Sequence, residues 1–451
     1  MSSTRPQTFE ESIAEFKARS REQLDQESEE NLPPSPPSPY KQSGPPYEYS
    51  QRFDARVLAA SSRAIGDNNP LFTDPEYGKH TKYGCQIAPG PVLAQVRYPS
   101  VHGATRPGGY PLSNLYSGAA WEFFDVVRVG SKFNSSKVTK EIFEKTGSRG
   151  TLIFIISENH YWDFHGDLIG KCYATQIMVP METMGSARAM SVERLGERML
   201  YDRKTHQYDK EQIEEVLSQL GRQQRRGARV LHWEDVEVGE KVGPVVIFPW
   251  TLQDQISFHA LAWTTASMDG GSGDDLAFER AYDWVRYRPS YGCYTNPMTN
   301  WPWTPNAEHE DALLAAYIGQ PAPFDYGVQR TEICQQLMSN WMGDDGFIRR
   351  MVVPLRKPVF YGDVGIYTGE VVKKFKEVQE GESALGAAPG KRQYHAVGIK
   401  FQGVNQLGET QVVGTSTVYL PSKEDGAVHL PVPHPARPSY VPYETFYRDW
   451  Y

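Results

Sequence analysis

Asp67, Asn69 and Pro70 sit close together in the run Gly66-Asp67-Asn68-Asn69-Pro70-Leu71. The proline restricts Asn69 to extended or turn geometry, so a carboxylate and an amide are held in fixed orientation. Such a carboxylate can accept a proton from a molecule bound in an adjoining cleft. Further on, Ala88-Pro89-Gly90-Pro91 precedes the apolar run Val92-Leu93-Ala94-Gln95-Val96. Proline and glycine stand where a helix begins, and the free N–H groups of a helix start can face an oxygen that gains negative charge. The alternative for the acidic run is an Asx-turn that caps a helix and does no chemistry.

With Asp74, Tyr77, Tyr83-Gly84, Ala88 and Gly90 at matching spacing, the stretch resembles the hydratase motif of MaoC-like (R)-specific enoyl-CoA hydratases and dehydratases. In that family an Asp and a His hold a water that adds across the double bond of a 2-enoyl thioester, while a backbone N–H holds the carbonyl oxygen. The resemblance implies that Asp67 is the acid, Asn69 its supporting amide and Gly90 the oxyanion site. Phe72 stands where the histidine belongs and would face the substrate instead.

The second half of the chain shows the complementary departure. His309-Glu310-Asp311 resembles the family's His-x-Asp segment, Asn306 stands at the motif asparagine, and Thr304 occupies the acid position. Tyr326 and Gly327 parallel Pro89 and Gly90 as substrate-binding positions. Three expectations stay open. His309 acts as base, oriented by Asp311 or by a carboxylate of the insertion such as Asp269, Asp274 or Asp275. Alternatively Asp67 works alone, its pKa raised by desolvation beside Phe72. In the third, neither half is catalytic, and the chain binds acyl-CoA or serves a partner subunit.

The elements that must position these residues repeat. Apolar and alternating runs over Leu115–Val129, Lys132–Phe143, Gly150–Asn159 and Leu168–Pro180 predict an antiparallel sheet after the first helix start. The second half runs through the same order, with a helix from Thr251 to Ala266, a helix start at Gly327 and a central helix over Val328–Trp341. The Val126–Gly130 stretch corresponds to Pro358–Gly362. The expected fold class is α+β: two hotdog folds, each an antiparallel sheet wrapped around a central helix, paired in one chain as a pseudo-dimer. The expected division is a polar helix and Pro-rich arm (1–46), an N-terminal hotdog (47–184), a helical linker (185–228), a C-terminal hotdog (229–422) interrupted at about 267–303, and a tail (423–451) lying over the surface. In the linker, Ile213, Val216, Leu217 and Leu220 recur at helical spacing, which predicts one packed face.

Composition narrows the function classes. A net charge of -8 and a pI near 5.8 argue against a nucleic-acid partner. The four cysteines are far apart without CxxC spacing, which suits a reducing compartment and implies no metal site. No apolar run approaches a membrane span, so the expectation is a cytoplasmic protein. The insertion is rich in aromatics from Phe278 to Trp303, which either complete the core around the second helix or line a pocket, in which case they point to a bulky or ring-bearing acyl group; Arg288, Arg330 and Arg349 are candidates for CoA phosphates or for surface ion pairs. The resulting expectation is a hydro-lyase that hydrates a 2-enoyl-CoA or dehydrates a 3-hydroxyacyl-CoA in a catabolic pathway, with no cofactor beyond the CoA thioester itself. The alternatives are a silent acyl-CoA-binding or partner subunit and a hotdog thioesterase. The resemblance also implies a homo-oligomer, with or without a second subunit.

Overall fold

The computed structural model describes residues 8–26, 53–96, 98–99, 112–147, 150–163, 167–180, 203–262, 298–299, 307–317, 320–381, 390–435 and 438–448. The Pro-rich arm, almost all of the insertion, Thr304 and Asn306 lie outside them.

Short capped helices lead into the first half. Asp54 caps α2 (Ala55–Ala64) by accepting from the N–H groups of Arg56 and Val57, both at 2.9 Å. Asn69 caps α3 (Pro70–Thr73) and Asp74 caps α4 (Pro75–Lys79), each with proline at the first helical position, where its missing N–H costs nothing. β1 (Ile87–Ala88) pairs with β3 (Val127–Arg128), and the second half repeats that pairing as the bridge between Phe324 and Phe360. The strands β2 (Leu112–Phe123), β4 (Phe133–Gly147), β5 (Gly150–Asp163) and β6 (Leu168–Pro180) complete the first half. The run expected as one strand over Leu115–Val129 is broken after Phe123, where Asp125 turns back to bond the Val126 N–H and the Arg128 guanidinium.

The second half contributes β7 (Lys241–Ile247), α6 (Leu252–Ala262), α7 (Ala312–Tyr317), the central helix α8 (Gly327–Met342), and the strands β8 (Phe347–Pro354), β9 (Gly365–Gly381), β10 (Gly390–Val404) and β11 (Thr410–Tyr419). All nine long strands form one antiparallel sheet in the order β4-β5-β6-β2-β8-β11-β10-β9-β7. The seam between halves is the β2–β8 pair. There Gly118, at φ +119°, lies so close to β8 that a Cβ would come within 2.1 Å of the Val353 carbonyl oxygen. A side chain at that position would push the two half-sheets apart.

α8 is the helix the sheet wraps, and every residue from Val328 to Met342 is buried. Gly343 ends it in a left-handed conformation, φ +72°. The first half differs from expectation here. Gly90–Gln95 forms a six-residue 3₁₀ helix in place of an α-helix, closed by bonds such as Val92 N–H to Pro89 O at 3.1 Å. Pro89 at the N-cap and Pro91 in the first turn have no N–H to give, which the start of either helix type tolerates.

The flanking segments also depart in part. The linker helix α5 (Lys210–Gly221) has the capping box of Asp209 and Gln212, but its apolar stripe is split. Val216 and Leu220 are half-buried, whereas Ile213 and Leu217 are 46% and 44% exposed. The N-terminal helix α1 (Phe9–Arg21) inserts Phe16 against Ile153, Ile155 and Met178 of its own sheet. The tail does more than lie on the surface. Its helix α9 (Tyr443–Arg448) buries Tyr443 and Phe446 in a small core with Ile156 and Tyr173.

Candidate active site

Asp67 leaves α2 in a buried turn and is 0% exposed. Its Oδ1 accepts the Asn69 N–H at 2.9 Å, so the Asx-turn anticipated from sequence is present. That bond engages one oxygen, and Oδ2 has no hydrogen-bond partner among the described residues. Asn69 is 1% exposed and in turn accepts the Leu71 N–H at 3.1 Å. Burial pushes the Asp67 carboxyl up to about 6, against the lowering effects of the Asn69 N–H and of Arg225.

Arg225, in the loop after α5, brings its guanidinium to 3.6 Å from Asp67 Oδ1. It also bonds the Asn68 side chain and, through Nε, Asn340 Oδ1 of α8 at 3.2 Å. The linker thus reaches across to both halves at the motif.

Glu332 of α8 is likewise buried, 2% exposed. Burial and the charge of Asp67 raise its carboxyl to about 8. Gln95, at the end of the 3₁₀ helix, lies close enough to favour the charged form of Glu332, but its Nε2 does not meet hydrogen-bond geometry. Its Oε1 accepts from Ser61 Oγ of α2 at 3.1 Å. Gly90 and Gly327 start the two corresponding helices, and the same offset relates Gln95 to Glu332 and Phe72 to His309. The acid on α8 is therefore the second copy's counterpart of Gln95.

A cavity of about 50 Å³ opens beside the turn, lined by Asn69, Phe72 and Gly90 from the first half and by Gln335, Ser339 and Met342 of α8. Gly90 is held by packing, because a Cβ there would come within 2.4 Å of the Phe123 ring. Its N–H donates to no described group. The other helix start is packed as closely: a Cβ on Gly327 would meet Leu355 at 2.5 Å and Tyr116 at 2.6 Å.

At the second half-site His309 is half-buried, with Nδ1 at 2.7 Å from the Phe324 carbonyl. The carbonyl can only accept, so Nδ1 carries the proton and Nε2 is the basic nitrogen. The ring packs on Phe324 at 4.4 Å and on Tyr326 at 4.2 Å. Asp311 Oδ1 caps α7 through the N–H groups of Leu313 and Leu314, and the group that orients His309 is a backbone carbonyl. Asp269, Asp274 and Asp275 lie outside the described residues.

Two of the three arginines considered for CoA phosphates are occupied inside the protein. Arg330 Nε lies 2.6 Å from Asp325 Oδ2, and Arg349 Nη2 lies 2.9 Å from Glu122 Oε2 at the seam. Both are buried, so neither can reach a solvent-borne phosphate; Arg288 lies outside the described residues. Among the described residues no cluster of His, Cys, Asp and Glu could hold a metal ion. No described helix is long and apolar enough to cross a membrane.

Comparison with solved structures accords with this topology. A protein described as a MaoC-like dehydratase superposes with a TM-score of 0.52 at 13% identity, covering 82% of this chain and 95% of that one. The fold is the double hotdog of MaoC-like dehydratases. A putative MaoC domain dehydratase from Chloroflexus aurantiacus is similar at a TM-score of 0.46 and 14% identity, over 94% of this chain and all of that one. A Mycobacterium tuberculosis protein described as having a double hotdog fold gives 0.41 at 12% identity, over 82% and 93%. Residues 55–171 match the family model described as FAS1-like, dehydratase domain region, which spans the Asp67 turn, Gly90 and the first strands of the double hotdog. No curated protein matches the sequence.

Sequence reasoning named Asn69, Phe72 and Gly90, which line one crevice, and Asp67, which is buried in the turn behind Asn69. It missed Glu332, Gln95 and Arg225. The available signal for Glu332 was an acid, flanked by Arg330 and Gln335, inside a helix that the sheet must enclose.

Proposed function

We propose that this double hotdog is a hydro-lyase that reversibly adds water to a 2-enoyl thioester, and that the chemistry takes place in the crevice between Asn69, Phe72 and Gly90 and α8. The observation that carries the proposal is the Gly90 N–H, which has no acceptor among the described residues and stands at a helix start on the wall of a cavity at the junction of the halves. A thioester carbonyl there receives a hydrogen bond that strengthens as the enolate forms. At about 50 Å³ the cavity suits the reacting carbons and a water, so a longer acyl chain must open it further. The aromatic insertion supports a bulky or ring-bearing acyl group of the kind met in catabolism. Addition of water neither oxidises nor reduces the substrate, so the reading calls for no redox cofactor. A homo-oligomer belongs to the same reading, and light scattering tests it.

A second reading places the chemistry at His309, favoured by the Phe324 carbonyl that leaves Nε2 as the base. The experiment incubates the protein with crotonyl-CoA and with an aromatic enoyl-CoA, following enoyl absorbance and free thiol. Loss of absorbance without thiol supports hydration. Thiol release indicates a thioesterase, and neither signal alongside measurable binding indicates a silent acyl-CoA-binding subunit.

A further inference from the structure

The family's histidine is absent beside Asp67, and Phe72 fills its place. A hydration needs one group to take a proton from water and another to give one to Cα. A second buried acid, Glu332 from the other half of the chain, lies within electrostatic reach of Asp67. Glu332 is 2% exposed and Asp67 0% exposed, and neither Glu332 Oε1 nor Asp67 Oδ2 has a hydrogen-bond partner among the described residues. Gln95 Nε2, next to Glu332, has none either. Buried polar atoms are rarely left without partners, and a group of them marks a place for water or a polar ligand. Glu332, Gln335 and Ser339 fall on one stripe of α8, at i, i+3 and i+7, and the latter two line the cavity. Glu332 therefore lies one helical turn from the stretch of α8 that lines the cavity.

We propose that Asp67 and Glu332 together replace the missing Asp-His dyad, holding the reacting water between two carboxyl groups drawn from opposite halves of the chain. The inference rests on the hydro-lyase reading above. In the hydration direction Asp67 is ionised and Glu332 protonated. Asp67 takes a proton from water as the water oxygen bonds to Cβ, and the Cα=Cβ electron pair moves through the thioester onto its carbonyl oxygen at the Gly90 N–H. The enolate then collapses, and Cα takes the Glu332 proton. Asp67 is left protonated and Glu332 ionised, and transfer of one proton between them restores the starting state. The sum is the addition of H₂O. Burial without a strong cation on Glu332 keeps its proton into the neutral range, while Arg225 helps Asp67 to lose its own. The charged groups acting on the pair are Arg225 from the linker loop and the two carboxyl groups themselves, with the Gln95 amide beside Glu332.

The test compares wild type with E332Q and D67N, two shape-conserving changes, by kcat and KM across pH and by direct binding of a non-reactive saturated acyl-CoA. Each variant is expected to lose about 10²- to 10⁴-fold in kcat while binding the saturated ester within threefold of wild type. E332Q should also lose the alkaline limb of the pH profile. If wild type hydrates and E332Q retains kcat within threefold, the pair is wrong and the hydro-lyase reading stands. If both variants lose ester binding in step with turnover, the acids are structural and the proposal is overturned. If wild type hydrates none of a short, a branched and an aromatic enoyl-CoA, the hydro-lyase reading fails and takes the pair with it.

Discussion

Replacing Glu332 with glutamine should make the protein more stable at alkaline pH and less stable at acid pH. In the unfolded chain this carboxyl titrates near its ordinary 4.5, and in the folded protein near 8. Between those values the folded state keeps a proton that the unfolded state has released, so stability falls as pH rises. The loss begins above about 4.5 and is complete above about 8. At about 1.36 kcal/mol per pH unit it amounts to about 5 kcal/mol at most. Asp67 adds a loss of the same sign between 3.8 and about 6. Glutamine removes the Glu332 contribution but places an amide where few partners exist, which costs ~1–3 kcal/mol at every pH. The net expectation is a gain on the order of 2–4 kcal/mol at pH 8.5 and a loss of up to about 2 kcal/mol at pH 5. Urea unfolding and thermal midpoints at the two pH values read it directly. A constant difference between variant and wild type at both would show that Glu332 ionises alike in folded and unfolded chains, and the buried acid pair would have no basis.

Three further predictions concern other parts of the site. His309→Ala should leave kcat within threefold if the crevice beside Gly90 is the working site; a loss of about 10²-fold or more with unchanged thermal midpoint would move the chemistry to the second half-site. Gly90→Ala should cost roughly 1–3 kcal/mol of stability, since its methyl group would come within 2.4 Å of the Phe123 ring, and calorimetry measures it. Arg349→Ala should cost about 3–5 kcal/mol in urea unfolding by leaving Glu122 buried without its cation at the seam; E122Q in the same background should recover part of that loss.

The double-hotdog plan and half of the site were legible in the sequence because they rest on local chemistry. Asp54, Asn69, Asp74 and Asp209 announce helix starts through short-range bonds to N–H groups a few residues on, and those bonds form with little reference to the rest of the fold. The second central helix ends at Gly343 for an equally local reason, a backbone conformation that favours glycine. The matched order of elements in the two halves gave the pseudo-dimer, and the Asp-x-Asn-Pro run gave the position of the acidic turn.

What tertiary structure decided was how those pieces meet. The first helix start became a 3₁₀ turn, with Gly90 on a cavity wall. Arg330 and Arg349, nominated for phosphates, were drawn into buried ion pairs. Most of all, Glu332 stands hundreds of residues from Asp67 in sequence and acts on it only because the β2–β8 seam sets α8 against the Asp67 turn. Periodicity and capping report a residue's neighbours along the chain. The ionisation of a buried acid depends on which charges and how much water surround it in space, and only the assembled fold fixes those.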